Sequence, residues 1–217
     1  MRARDGIARI LLLAILLACA TPAAAIDPAT LASRGSAGIP PCSGCHGASG
    51  AGQLMFPRLA GLNAAYMAKQ LADFNNGTRI NAAMQPIASA LSPADRQAMA
   101  DYYAAMPVPV AAAAPAPAAD SPGGLLARRG RWSKGVPACG QCHGPGGVGV
   151  GDAFPALAAQ PAAYTAAQLH AWQAGTRRND PIELMRHVAA QLSDSDIQSV
   201  ADWFAAQPAS LAATTTP

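Results

Sequence analysis

The pentapeptide Cys42-Ser43-Gly44-Cys45-His46, which returns as Cys139-Gly140-Gln141-Cys142-His143, constrains this chain more than any other feature. Cys-x-x-Cys-His is the attachment signature of c-type haem. The spacing has a chemical reason. Two thiols so placed reach the two vinyl groups on one porphyrin edge and form thioethers. The next residue, His, is then held under the iron as a nitrogen ligand. A single copy would also suit a chance Cys-x-x-Cys, a zinc knuckle or a thiol redox pair. Two copies in matched surroundings favour covalent haem, one group per copy. Cys42, Cys45, Cys139 and Cys142 are therefore the expected attachment points of two haem c groups, and His46 and His143 the expected proximal iron ligands.

The surroundings repeat as well. Phe56-Pro57-Arg58-Leu59-Ala60 matches Phe154-Pro155-Ala156-Leu157-Ala158, Tyr66 matches Tyr164, and Gln70-Leu71 matches Gln168-Leu169. Gly77-Thr78-Arg79 matches Gly175-Thr176-Arg177, and Met84 and Met185 open a further matched segment. Similarity of this length indicates a duplicated domain. The reading is a first domain over 26–106, an Ala/Pro-rich connector over 107–122, a second domain over 123–208 and a loose tail over 209–217.

Each copy reads as all-α. Alternation typical of strands is missing, whereas Tyr66, Met67, Gln70, Leu71 and Phe74 recur at helical spacing. Ser92-Pro93-Ala94-Asp95 and Ser193-Asp194-Ser195-Asp196 are capping boxes that open helices ending near Met106 and Gln207. Their aromatics, Tyr102, Tyr103, Trp203 and Phe204, belong to a core that is largely the haem face. Glycines crowd behind each motif and allow irregular backbone to lie against a flat cofactor.

Residues 1–25 read as a secretory signal: Arg2, Arg4 and Arg9 precede the apolar run Ile10 to Ala20, too short to span a bilayer, and Ala23-Ala24-Ala25 offers a cleavage site. Leu16-Leu17-Ala18-Cys19 also resembles a lipoprotein box, which would anchor the chain peripherally through Cys19; the cleavage site that follows at once favours plain export to the periplasm. The formal charge of +3 owes much to that leader, and haem propionates would make the exported protein mildly acidic. No basic stripe points to nucleic acid. With four of five cysteines in the motifs and Cys19 in the leader, no pair is left for a structural disulfide.

An iron with one His needs a second axial ligand or keeps an open position. Met84 and Met185 hold the same place in the repeat, and a thioether suits the iron of an electron carrier. Met55, Met67, Met99 and Met106 lack counterparts and read as core. His187, a rival to Met185, aligns with Pro86, which cannot ligate; His170 reads as a surface or helix-packing residue. Arg128, Arg129, Arg131 and Lys134 form a basic cluster, read as a docking patch or a solvated helix end.

Together these features resemble the dihaem cytochrome c4 family over essentially the whole exported chain. The resemblance implies two tandem class I cytochrome c domains with His–Met iron. It also implies an electron carrier rather than an enzyme, passing electrons in the periplasm from a respiratory-chain donor, such as a quinol-oxidising complex, to a membrane haem-copper oxidase. It further implies that Pro57 and Pro155 sit beside the proximal histidines, each offering a carbonyl to the second ring N–H. The alternative is a dihaem subunit of a periplasmic dehydrogenase, for example one whose flavoprotein oxidises sulfide. A dihaem peroxidase or thiosulfate-oxidising cytochrome would need an open or differently ligated iron, against which the repeated Met argues.

Overall fold

The computed structural model describes residues 26–36, 38–108 and 117–209. The leader with Cys19, the centre of the connector and the end of the tail fall outside the described residues. Ten α-helices are described. The first five are α1 (Pro28–Arg34), α2 (Ser43–His46), α3 (Ala64–Asn76), α4 (Met84–Ala90) and α5 (Pro93–Ala105). The second five repeat them as α6 (Pro122–Arg129), α7 (Cys139–His143), α8 (Ala162–Gln173), α9 (Leu184–Ala190) and α10 (Asp194–Ala205). Only isolated bridges, and no sheet, occur among the described residues.

The helix starts follow from the sequence. Both expected capping boxes are formed, at Ser92 with Asp95 and at Ser193 with Asp196. Such a cap contributes about 1 kcal/mol. Helices α1 and α6 were not anticipated, because each is only two turns long. They begin with side-chain caps at Asp27 and Ser121 and proline at the first helical position. Helix α6 thus starts at Pro122, the last residue read as connector. It lies so close to α10 that a Cβ on Gly123 would collide with the Ser199 carbonyl.

In each half, the last helix packs on the first and on the long central one: α5 on α1 and α3, α10 on α6 and α8. Buried residues match between halves, Leu31 with Leu126, Ala100 with Ala201 and Tyr103 with Phe204. Met67 and Met99 are buried as expected. Met55 is not core; it is 64% exposed. Gln53 and Phe56 exchange two backbone hydrogen bonds, and this tight turn extrudes Leu54 and Met55 between them.

The halves meet through a near-symmetric polar seam. Backbone bonds run from Ile80 N to Thr176 O (2.9 Å) and from Arg178 N to Thr78 O (2.7 Å). Arg79 donates to Tyr164 Oη (2.8 Å) and Gln168 Oε1 (2.6 Å) of the other half, and Arg177 donates to Tyr66 Oη and Gln70 Oε1 (both 3.1 Å). Each guanidinium also covers an aromatic ring of its own half, Phe74 at 4.5 Å and Trp172 at 4.7 Å. Both arginines are buried. Two buried like charges are tolerable only because their donors are met by neutral oxygens and ring faces.

A second tie acts within the C-terminal half. Arg131 donates to both carboxylate oxygens of Asp196 at 2.8 and 2.7 Å. The Arg131 guanidinium, helped by hydrogen bonds from Ser193, holds the Asp196 carboxyl well below the usual carboxylate range. A depressed folded-state value means stabilisation that is complete above the unfolded-chain value of about 4 and lost as pH falls further. Asp196→Asn should therefore lower the urea midpoint at pH 7, and the gap between variant and parent should close on acidification below about pH 4, followed by far-UV circular dichroism.

Candidate haem-binding sites

Each Cys-x-x-Cys-His segment winds into a single short helix, α2 or α7, ending on the histidine. The four thiols are unpaired. Burial pushes the Cys42 thiol up and takes Cys139 to about 11. Among the described residues no group of three His, Cys, Asp or Glu gathers as a metal cluster.

The histidines are fixed in orientation. His46 Nδ1 is 2.9 Å from the Pro57 carbonyl, and His143 Nδ1 is 2.8 Å from that of Pro155. Since a carbonyl only accepts, Nδ1 carries the proton and Nε2 keeps its lone pair. Burial lowers both imidazoles below their ordinary range, and at His143 the Arg177 charge adds to it. Phe56 and Phe154 stand edge-on to the rings, centroids 6.2 and 6.1 Å away. These are the prolines that the family resemblance placed here.

The intervening loop is held the same way twice. Gly52 N–H donates to the His46 carbonyl (2.8 Å) and Gly149 N–H to that of His143 (2.7 Å). The Gly50 carbonyl accepts from Leu59 and Ala60, and the Gly147 carbonyl from Leu157 and Ala158. Gly147 has φ +82°, and a Cβ there would come within 2.6 Å of the Phe204 ring. The loop therefore reaches the last helix only because this residue has no side chain.

Met84 and Met185 are half-buried at the starts of α4 and α9. Each backbone N–H is anchored by a side chain a few residues earlier: Met84 N to Asn81 Oδ1 at 2.9 Å, Met185 N to Asp180 Oδ2 at 2.7 Å. The two halves reach the same result with different residues at different spacing. For this reason the repeat pattern did not reveal Asn81 and Asp180; an Asx residue ahead of a helical start was the available signal. His187 is exposed and its Nδ1 lies 2.7 Å from the Glu183 carbonyl, while His170 is exposed beside Gln173. Arg131 is withdrawn from the basic cluster by Asp196, which leaves Arg128, Arg129 and Lys134 exposed.

Paired free thiols and an imidazole oriented with Nε2 open suit covalent haem in each half, where Met84 and Met185 would supply the second donor. Among the described residues, three buried polar atoms, Arg58 Nε, Tyr103 Oη and Thr165 Oγ1, have no hydrogen-bond partner from the protein. Gly147→Ala should destabilise the second half by about 1–3 kcal/mol through the left-handed backbone and the Phe204 collision, whereas an exposed change such as Gln198→Ala should shift the thermal midpoint little.

Comparison with known proteins places this donor set in context. The family described as cytochrome c oxidase, cbb3-type, subunit III matches twice, over residues 40–102 and 128–204. A "Thiosulfate dehydrogenase electron acceptor" of Stutzerimonas stutzeri is 51% identical over 76% of this chain and 77% of its own. The crystal structure of reduced recombinant cytochrome c4 from Pseudomonas stutzeri superposes with TM-score 0.70 at 37% identity, over 76% of this chain and 93% of that one. "Thiosulfate dehydrogenase (TsdBA)" from Marichromatium purpuratum superposes with TM-score 0.78 at 42% identity over 88% of this chain, which spans only 42% of that longer one.

Proposed function

We propose that this chain, which belongs to the dihaem cytochrome c4 family of electron carriers and so carries two covalently bound haem c groups, serves as the electron acceptor of a periplasmic thiosulfate-oxidising enzyme. The observation that carries this reading is its likeness to proteins named for that task, 51% and 50% identical in two organisms, against 34–42% for four cytochromes c4. The dehydrogenase-linked alternative read from the sequence thus gains over a quinol-oxidising donor, with thiosulfate in place of sulfide. Onward delivery to a membrane haem-copper oxidase stays part of the proposal. So does the periplasmic location, which rests on the leader.

Within this reading, Cys42 and Cys45 hold one haem and Cys139 and Cys142 the other. His46 and Met84 would supply the donors to the first iron, His143 and Met185 those to the second. The haems, when bound, supply reversible one-electron iron chemistry. The protein supplies the rest. The Pro57 and Pro155 carbonyls orient the imidazoles and raise their basicity. Asn81 and Asp180 fix the start of the helix that presents each methionine. The buried aromatics of α5 and α10 exclude water. With Met84 and Met185 as second donors the chain would relay electrons, and the chemistry on thiosulfate would belong to the partner.

Stopped-flow mixing tests the partner. Thiosulfate alone should leave the oxidised protein unreduced, and adding catalytic amounts of a thiosulfate dehydrogenase should reduce both haems at a rate that rises with enzyme concentration. Reduction no faster than with an unrelated dehydrogenase would overturn the assignment. For the ligands, Met84→Ala and Met185→Ala should each remove about half of the far-red sulfur-to-iron absorption of the oxidised protein; a variant keeping the full band disproves that methionine.

A further inference from the structure

The two halves differ most sharply at one buried cation. Arg58 follows Pro57, whose carbonyl orients His46, and is 1% exposed. The matching residue of the second half is Ala156. Gln160 clamps the backbone of Arg58 from the other half: its Oε1 accepts from Arg58 N (3.0 Å) and its Nε2 donates to Arg58 O (3.1 Å). The counterpart of Gln160 is Leu62, which cannot make this clamp. The guanidinium donates to Ala60 O (2.5 Å) and, across the boundary, to Ala158 O (3.1 Å), while Nε has no partner. The salt bridges among the described residues all involve other groups, so no described carboxylate neutralises Arg58.

Burial pushes this guanidinium below its usual range, yet arginine starts so high that it stays charged. A purely mechanical strut would not need a charge, and an apolar side chain of similar length would be cheaper to bury. A fixed positive charge in a poorly screened interior acts on any neighbouring centre whose charge changes. Ferric iron carries one more positive charge than ferrous, so a nearby cation favours the reduced form.

We propose that Arg58 selectively raises the reduction potential of the haem on the His46 side, so that the two halves of a duplicated chain are electronically unequal. The Arg58 backbone lies one residue beyond the proximal carbonyl, and its guanidinium is held between Ala60 O of its own half and Ala158 O of the other. Gln160 is a positioning residue that ties this place to the docking of the second half. The inference rests on His46 and Met84 being the ligands of the first iron.

The test is a spectroelectrochemical titration of the exported dihaem protein, with Met185→Ala used to mark the second haem. Arg58→Met, which removes the charge and keeps the length, should lower the unmarked potential by at least 59 mV, a tenfold change in the electron's preference for that haem, and leave the marked one in place. Arg58→Lys, which keeps the charge, should move it by much less. If Arg58→Met is not exported, Arg58→Gln takes its place with the same fall expected, since it still has a donor for the Ala158 carbonyl. Unmoved potentials, an equal fall of both, or a lysine variant that falls as far as the neutral one would each overturn the inference. These outcomes count in protein whose mass shows two porphyrins and whose far-red band keeps the half left by Met185→Ala, so they are separate from a failure of the ligand assignment, which the Met84→Ala band reads.

Discussion

The hydrogen bond from histidine Nδ1 to a proline carbonyl is what the rest of each half serves. It decides which ring nitrogen is left open, and therefore what the motif histidine can do. Proline is well suited to the position: its fixed φ limits how far the acceptor can turn. The loop back to it is closed by the Gly52 or Gly149 N–H donating to the histidine's own carbonyl, so the imidazole and its acceptor belong to one small ring of backbone. The last helix of each half then lies over the Gly50 or Gly147 turn through Tyr103 or Phe204. In electron carriers of this kind the protein's levers are ligand orientation, hydrogen bonding around the ligand and burial, and all three converge on this one contact.

The seam between the halves is built by different means. A hydrophobic interface would have been easier to form, yet buried arginines meet glutamines and half-buried tyrosines there. Polar networks tolerate little misalignment, since each unpaired donor costs free energy. Such a seam fixes the relative placement of the halves more tightly than apolar contact would, which suits a chain whose task depends on the separation of two redox centres. Asn179 extends it by bridging Gln70 and Asp73, with Lys69 reaching the Asn179 carbonyl.

Much of this was legible in the amino-acid order, and the reasons are local. The doubled Cys-x-x-Cys-His pattern, the Phe-Pro segments and the capping boxes at Ser92 and Ser193 are short-range signals, and chemistry or backbone geometry fixes what they do. Long-range features were hidden. Gly-Thr-Arg was visible as a repeat, but nothing in it says that Arg79 and Arg177 reach the opposite half. Asn81 and Asp180 do the same work at unequal spacing, so alignment of the halves obscures them. Met55 looked apolar and therefore internal, but a two-residue turn left it nowhere to go but outward. Helices α1 and α6 are too short to show a period, and their caps were the sole sign.

The seam has one more implication. It is isologous: Thr78 does for Arg178 what Thr176 does for Ile80, and Tyr66 and Tyr164 exchange roles. A surface of that kind is complementary to itself, which is the geometry by which two separate copies of one chain form a twofold dimer. Joining two copies end to end adds no contact; it turns an encounter between molecules into one within a molecule, at an effective concentration of order millimolar. Fusion also released the halves from identity, since a substitution in a homodimer appears on both sides of the axis and one in a fused pair on a single side. Arg58 facing Gln160, with Ala156 and Leu62 at the mirrored positions, is a difference that only the fused form can hold.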